Sequence, residues 1–368
     1  MSFSKPLASA TWANIPQFDL SAIQSGTGPE KQQQLERLLK TYTTIGFAAI
    51  WAPQLRETHD RIFAEARTFF GQDEDVKRQT KSFMPISHEA LRDGESIGYE
   101  RILHVPGYEK YPLPEGTFGD AVKEIGEKYN QLAKTIAQLF TEGLGIPQKD
   151  LPITDTYAMS IKNYPNFPKD QPGTIVHPHH RDMDPITILG PGTANGLEVL
   201  TDEGYQKIKI PEGCVLVNTG DMLCNLTAGL LRGADHRVVK TEDWPTNQKV
   251  GRLQVALFSF FPPDLSLDPI PLLANKATKE MSTEKKEAFL AQFTKGTPDH
   301  NRKAYLISVH GESTTEEEVD QLISMGFFRN PPESLKQKFP NATWGRAAEV
   351  NKRLADAGLD SLFSDAVS

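Results

Sequence analysis

Apolar residues recur along this chain with two different periods, and the change of period divides it. Between residues 122 and 144 the positions Val122, Ile125, Tyr129, Leu132, Ile136, Leu139 and Phe140 fall three or four apart. That spacing predicts a long helix with one apolar stripe, built to lie against a sheet. Leu35, Leu38, Leu39 and Tyr42 give the same signal earlier, and a further helix is expected from Pro53 through Phe70. Short apolar runs at Ile15–Ser21 and Gly46–Trp51 predict isolated strands between them.

From Ala158 to Phe261 the texture changes to short runs of Val, Ile, Leu and Phe broken by Gly, Pro, Asn and Asp. Many short antiparallel strands read this way. Strands are expected at Ile186–Leu189, Leu197–Leu200, Gln206–Ile210, Val215–Asn218, His236–Lys240 and Arg252–Phe261. After Pro262 the pattern is helical again. Thr314 and Thr315, each with a Glu three residues on, offer capping boxes for a helix through Val319, Leu322 and Ile323. The expected architecture is α+β with a mainly β core, a jelly roll flanked by helices at both ends of the chain. Residues 1–150 form an N-terminal region packed on it, 151–265 the catalytic core, and 266–368 a helical extension, a lid or dimer arm.

Composition narrows the function only coarsely. A net charge of −8 over 368 residues argues against a nucleic-acid groove and for small-molecule partners. No apolar run is long enough to span a bilayer, and the first ten residues look like neither a secretory signal nor a transit peptide, so a cytoplasmic location is expected. The two cysteines, Cys214 and Cys224, lie in strand-like surroundings and are expected to be buried free thiols. Oligomeric state is not legible.

The chemistry concentrates at His180-Arg181-Asp182 and at His236. On a strand, residues two apart share a side, so His180 and Asp182 are expected to point together while Arg181 faces away. His236 is the candidate third ligand, returned from another strand. Two imidazoles and a carboxylate on one face of a divalent metal leave positions open for substrate and oxygen, the arrangement of non-heme Fe(II) oxygenases. His177 and His179 lack a carboxylate two positions on and are expected to be loop or exposed residues. The same expectation covers His59, His88, His104, His300 and His310.

The run His180-Arg181-Asp182-Met183-Asp184-Pro185-Ile186-Thr187-Ile188-Leu189 resembles the ligand strand of the isopenicillin N synthase-like branch of the Fe(II)/2-oxoglutarate-dependent dioxygenases. Gly196-Leu197-Glu198-Val199, Val217-Asn218-Thr219-Gly220-Asp221 and His236-Arg237-Val238-Val239 follow in family order. Ile15–Leu20 and Ile45-Gly46-Phe47 resemble weaker N-terminal signatures. The resemblance implies a metal site of His180, Asp182 and His236 for Fe(II), with 2-oxoglutarate as co-substrate and O2 as oxidant. It also implies that Arg252 binds the distal carboxylate of 2-oxoglutarate, helped by Tyr164 and by Gln254, whose amide can donate where the family has a serine.

Three departures stand out: Gln254 for that serine, Lys162 for an asparagine in Lys162-Asn163-Tyr164-Pro165, and a longer loop over 240–249 that would border the site entrance. The activity implied is hydroxylation, desaturation or ring formation on a small organic molecule, with release of succinate and CO2. An iron oxidase of the same fold without 2-oxoglutarate and a non-catalytic zinc- or ligand-binding barrel are the alternatives. Substrate contacts are expected from Phe83–Pro85, Ile97–Tyr99, the 240s loop and the C-terminal helices, where Phe327 and Phe328 serve core packing rather than a plug.

Overall fold

The computed structural model describes residues 14–85, 90–92, 95–96, 98–166, 171–245, 249–310, 312–329, 331 and 333–363. Residues 1–13, His88, Ile97 and residues 246–248 of the entrance loop, on which expectations were placed above, lie outside the described residues. The strands are β1 (Gln17–Phe18), β2 (Phe47–Trp51), β3 (Phe83–Met84), β4 (Ala90–Arg92), β5 (Glu95–Ser96), β6 (Glu100–His104), β7 (Tyr157–Tyr164) and β8 (Ile175–His180). They continue with β9 (Ile186–Leu189), β10 (Leu197–Thr201), β11 (Gly204–Lys207), β12 (Cys214–Thr219), β13 (His236–Val239) and β14 (Arg252–Ser259). Helices α1 (Leu20–Ser25), α2 (Gly28–Thr44), α3 (Arg56–Phe70), α4 (Glu74–Lys77) and α5 (Gly116–Leu144) precede the main run of strands, and α6 (Asp221–Leu226) interrupts it. The C-terminal helices are α7 (Pro271–Ala277), α8 (Thr283–Leu290), α9 (Pro298–His310), α10 (Glu316–Ser324), α11 (Glu333–Lys338) and α12 (Arg346–Asp356).

The strands form an 8-stranded sheet, ordered β1-β2-β12-β9-β14-β7-β6-β3, and a 6-stranded sheet, ordered β11-β10-β13-β8-β5-β4. This is the expected jelly roll. Both sheets draw strands from before residue 150: β1, β2, β3 and β6 extend the large sheet, while β4 and β5 extend the small one. The sequence pattern placed β1 and β2 as strands but carried no sign of where they pair.

Alternation along the strands separates two environments. On β14, Leu253, Val255 and Leu257 join the main apolar core, whereas Arg252, Gln254, Ala256 and Phe258 line a cleft between the sheets. On β7, Ile161 belongs to the core and Lys162 and Tyr164 to the cleft. The core face is covered by α5, whose Val122, Ile125, Tyr129, Ile136 and Phe140 are fully buried. Burying each such side chain contributes about 1.5–3 kcal/mol, so the stripe fixes α5 on the sheet. The helix stops at Gly145, which takes φ 73°, a conformation glycine adopts without a side-chain clash.

The helix before the first β-rich stretch begins with a short 3-10 turn at Pro53–Leu55 and continues as α3. At the far end, Thr315 rather than Thr314 caps α10, forming a capping box with Glu318. Val319, Leu322, Ile323 and Phe327 are part of the main core, so Phe327 packs as expected, with Phe328 partly buried against the same cluster. Both cysteines are free and buried. Among the described residues, no helix is long and apolar enough to cross a membrane.

Two of the histidines expected at the surface are instead buried, His104 on β6 and His59 on α3. His59 meets the Tyr129 hydroxyl of α5 at 2.5 Å, and burial pushes its pKa from 6.5 down to about 4. Between those values the unfolded chain binds a proton that the folded chain refuses. The stability this imidazole contributes is therefore present above pH 6.5 and lost as pH falls towards 4. Thermal unfolding from neutral pH into that window should show a falling Tm, with a shallower fall in His59→Gln. An unchanged slope in the variant would assign the acid sensitivity to other groups.

Candidate active site

Strand β8 pairs antiparallel with β13 so that His180 stands directly opposite His236. The small sheet thereby joins two imidazoles that are far apart in sequence. Asp182 arrives differently from the expectation. The strand ends at His180, and Asp182 lies two residues beyond it, so strand alternation does not aim its carboxylate. Its backbone is held by the Asp221 N–H, which donates to the Asp182 carbonyl at 2.8 Å. The Thr187 hydroxyl and the Asn218 amide donate to Asp182 Oδ2 at 2.6 and 2.8 Å.

Both of those bonds fall on Oδ2 and leave Oδ1 to face the histidines. Oδ1 lies 3.9 Å from His180 Nε2 and 4.0 Å from His236 Nε2. Each imidazole directs Nδ1 at a backbone carbonyl, His180 at Pro178 (2.9 Å) and His236 at Ala234 (3.0 Å). A ring that donates from Nδ1 keeps a lone pair on Nε2, the form that binds a metal. Three ligand atoms within 4.8 Å of one another thus converge on one position. Burial, with the neighbouring His236, pushes His180 down to about 3 and keeps it neutral. Burial would raise the Asp182 carboxyl, but the two imidazoles and its two hydrogen bonds bring it below the ordinary carboxylate value. The donor set, two imidazoles that present Nε2 and one carboxylate, fits Fe(II).

Arg181 faces away from this group, as expected. Its Nε donates to Asp235 Oδ2 at 2.8 Å, joining the residue after His180 to the residue before His236. Its Nη1 donates to the Leu362 carbonyl, so the C-terminal segment closes over the back of the site.

On the opposite wall of the same cleft lie Arg252, Gln254, Tyr164 and Lys162. Arg252 points inward and is buried; Nε donates to the Ala194 carbonyl at 3.0 Å and Nη2 to Gln254 Oε1 at 2.5 Å. Its guanidinium lies 5.5 Å from the Tyr164 ring centre. Nη1 is buried without a hydrogen-bond partner. Leaving such a donor unsatisfied is costly, and a carboxylate would satisfy it. Gln254 departs from its expected role: its Nε2 donates to the Gly190 carbonyl at 2.6 Å, so the amide steadies Arg252 instead of offering a donor to a ligand. Gly192 makes room for the pair, since a Cβ there would stand 2.8 Å from Gln254 Oε1 and 2.9 Å from Arg252 Nη2. The entrance loop contributes Trp244, which donates to the Asn195 carbonyl at 2.7 Å and packs 5.9 Å from Tyr164 between ring centres.

Residues 156–260 match the 2OG-Fe(II) oxygenase superfamily. That segment contains every strand from β7 to β14, with all three candidate ligands and Arg252. By this match the part of the chain that carries the site is similar to the 2OG-Fe(II) oxygenase superfamily. Oxidoreductase chemistry with Fe(II), 2-oxoglutarate and O2 is what the match and the relatives indicate. A curated relative, the 2-oxoglutarate-dependent dioxygenase frbA of Dothideomycetidae sp. (strain 11243), is 24% identical over 72% of this chain and 91% of its own length. The mugineic-acid 3-dioxygenase of Hordeum vulgare is 29% identical, over 55% of this chain and 59% of its own. In fold, the chain is similar to the rice dioxygenase for auxin oxidation, with a TM-score of 0.59 at 19% identity, covering 82% of this chain and 97% of that one.

Within this cleft, sequence reasoning missed the place of His177. It is a strand residue of β8 lining the cleft, its ring centre 4.1 Å from that of His180 and 5.1 Å from that of Tyr99. Burial pushes its pKa well below the ordinary value. The signal available was its place three residues before a ligand on a short strand, where one bulge suffices to turn it towards the same side. Thr187 and Asn218 were visible only as parts of motifs, and their shared grip on Asp182 Oδ2 is a three-dimensional fact. Asn218→Ala should free that oxygen to rotate. Fe(II) affinity measured anaerobically should fall about 10- to 100-fold with the fold intact. An unchanged affinity would make Asn218 a packing residue only.

Proposed function

We propose that this chain oxidises a small organic molecule, with His180, Asp182 and His236 holding Fe(II) and Arg252 holding the distal carboxylate of 2-oxoglutarate. The observation that carries this reading is the buried, unsatisfied Arg252 Nη1 in the same cleft as three convergent metal-ligating atoms. Either feature alone would also suit a purely structural role, but a dry cationic anchor facing a three-ligand cluster suits a chelating dianion between them. Gln254 acts as a positioning residue, holding one Arg252 nitrogen so that the other projects into the cleft. Tyr164 supplies the floor beneath the guanidinium.

With Fe(II) and 2-oxoglutarate bound, the cofactor chemistry is oxidation of the substrate by O2, coupled to conversion of 2-oxoglutarate into succinate and CO2. The residues of the chain bind, orient and exclude water. Nδ1 bonding to Pro178 and Ala234 fixes both imidazole planes. Ala256, Phe258, Leu189, Leu197 and Val238 line the rest of the cleft and keep the reacting centre apolar. Substrate position decides between hydroxylation, desaturation and ring formation, because one oxidising centre serves all three.

Residues 151–265 form the catalytic unit in this reading. Among the described residues, those before 150 add strands to both sheets, and the C-terminal ones reach the back of the metal loop through Leu362. The setting is cytoplasmic and the partner a small molecule. The acidic balance, with a net charge of −8, disfavours nucleic acid.

His180→Ala and Asp182→Ala should each abolish Fe(II) binding and turnover, and chelation of the metal should do the same to the wild type. Arg252→Gln should spare iron while weakening 2-oxoglutarate about 10- to 100-fold, the loss expected for a buried charge-assisted bond. Calorimetric titration of Fe(II)-loaded protein under anaerobic conditions reads both constants. Unchanged 2-oxoglutarate affinity in Arg252→Gln would show the co-substrate pocket to be elsewhere.

A further inference from the structure

Several buried or half-buried cations near the cleft have an acidic partner. Lys77 pairs with Glu100 at 2.6 Å, Arg237 with Glu198 at 2.7 Å and Arg181 with Asp235 at 2.8 Å. Among the described residues Arg252 has no such ion pair, and neither do Lys162 and Arg101, which stand side by side. In the pairing of β6, β7 and β14, Arg101 lies opposite Lys162, and Lys162 lies opposite Gln254. Residues directly opposite on neighbouring strands project from the same face. Lys162 and Gln254 line the cleft, so Arg101 stands on the cleft side as well.

Lys162 is buried, and among the described residues its ammonium meets aromatic rings, 5.0 Å from the centre of Tyr99 and 5.7 Å from that of Phe258. Arg101 has a buried Nε without a hydrogen-bond partner, while its side chain bonds Tyr305 of α9. Burial lowers the Lys162 pKa against the opposing effect of the Tyr99 phenol and the Asp182 carboxylate, with the Arg101 and Arg252 charges acting in the same direction as burial. Burial would raise the Tyr99 phenol, yet the Lys162 and Arg101 charges bring it below its ordinary value, in keeping with the contact between Lys162 and the Tyr99 ring. A buried ammonium beside a guanidinium is costly unless something negative joins them. The Arg252 anchor does not fill this role. It sits on β14 opposite Tyr164, two residues along β7 from Lys162, and Arg101 lies one strand further away on β6.

We propose that Lys162 and Arg101, beside the Tyr99 ring, form a second anion pocket in the cleft, which binds a carboxylate of the organic substrate and so makes the substrate a small carboxylic acid. This deepens the function proposed above and rests on it for the word substrate. The pocket also gives the C-terminal extension a part in recognition, because Tyr305 of α9 holds Arg101.

The test uses the full chain loaded with Fe(II) without oxygen, with and without saturating 2-oxoglutarate, and phenylacetate and its methyl ester as probes in ligand-detected NMR. The expected result is binding of the acid at roughly millimolar concentration, with the ester at least about tenfold weaker. Lys162→Gln and Arg101→Gln should each remove about tenfold or more of the acid's affinity, leave the ester unchanged and keep 2-oxoglutarate within about twofold. Lys162→Arg should retain the preference for the acid. Lys162→Met should lose it and raise the Tm of the ligand-free protein, since an unpaired buried ammonium is replaced by an apolar chain of similar length.

Four results would overturn the pocket. They are no phenylacetate binding to the wild type, equal binding of acid and ester, displacement of 2-oxoglutarate by the acid, and loss of 2-oxoglutarate rather than acid affinity in Lys162→Gln and Arg101→Gln. Failure of the wild type to bind 2-oxoglutarate would sink the co-substrate reading instead. The acid preference and its dependence on Lys162 and Arg101, read without 2-oxoglutarate, would still decide the pocket.

Discussion

The antiparallel pairing of β8 with β13 is the constraint on which the site depends. It sets His180 opposite His236, and every other feature of the metal end serves to keep that register and complete it. Because side chains alternate with a period of two, a slip of one residue would turn one imidazole out of the cleft. Arg181 opposes such a slip from behind: its 2.8 Å bond to Asp235 ties the two ligand segments one residue outside the pairing. With both partners almost fully buried, breaking this ion pair would leave an uncompensated charge, a cost of about 3–5 kcal/mol. The same guanidinium bonds Leu362, so the end of the chain is fastened to the metal loop by the residue lying between two candidate ligands.

The large sheet answers a different demand. It must present a continuous apolar surface to α5 and a row of polar groups to the cleft, and strand alternation provides both from one sequence. Leu253, Val255 and Leu257 meet the helix side while Arg252 and Gln254 meet the cleft. The apolar face makes the polar one tolerable, since a buried arginine, lysine and glutamine cost free energy that packing elsewhere must offset. Gln254 reduces that cost by accepting from Arg252 and donating to Gly190, and its extra length over serine is what lets it span the two. The substitution therefore changes how the arginine is held while leaving one of its nitrogens exposed to the cleft.

What could be read in the sequence was whatever is encoded locally. The α5 stripe, the boundaries of β9 and β12 to within a residue, the buried thiols and the cluster of His180, Asp182 and His236 follow from period, residue type and motif order. What escaped depends on which strands become neighbours. Nothing in Phe47–Trp51 says that it will pair with Cys214–Thr219, and nothing in Glu100–His104 says that it will lie beside β7. The misreading of Asp182 as a strand residue has the same origin. The two-residue step looked like strand alternation, but the carboxylate is aimed by Thr187 and Asn218, whose approach depends on β9 and β12 pairing with each other. His177 was set aside because it has no carboxylate nearby in sequence, and it reached the cleft through the register shift that the pairing of β8 and β13 contains between His236 and Val238.

Charge arrangement in the cleft separates the two ends of the chemistry. At the metal end, burial and the neighbouring His236 hold His180 neutral and Asp182 stays ionised, so a divalent cation retains net positive charge there. The opposite wall carries the cations Arg252, Lys162 and, one strand further, Arg101. An empty cleft of this kind is electrostatically frustrated, because the metal and the far wall repel each other and neither is fully solvated. Anions relieve that frustration, and one dianion has only enough charge for part of it. It can bridge the metal and Arg252, leaving the Lys162–Arg101 pair unanswered. The surplus positive charge on β6 and β7 therefore has to be matched by the molecule being oxidised, which makes order of binding a matter of charge as well as space: the acid gains its counter-ions whether or not the co-substrate is present, while the reacting centre is closed to water only when both are in place.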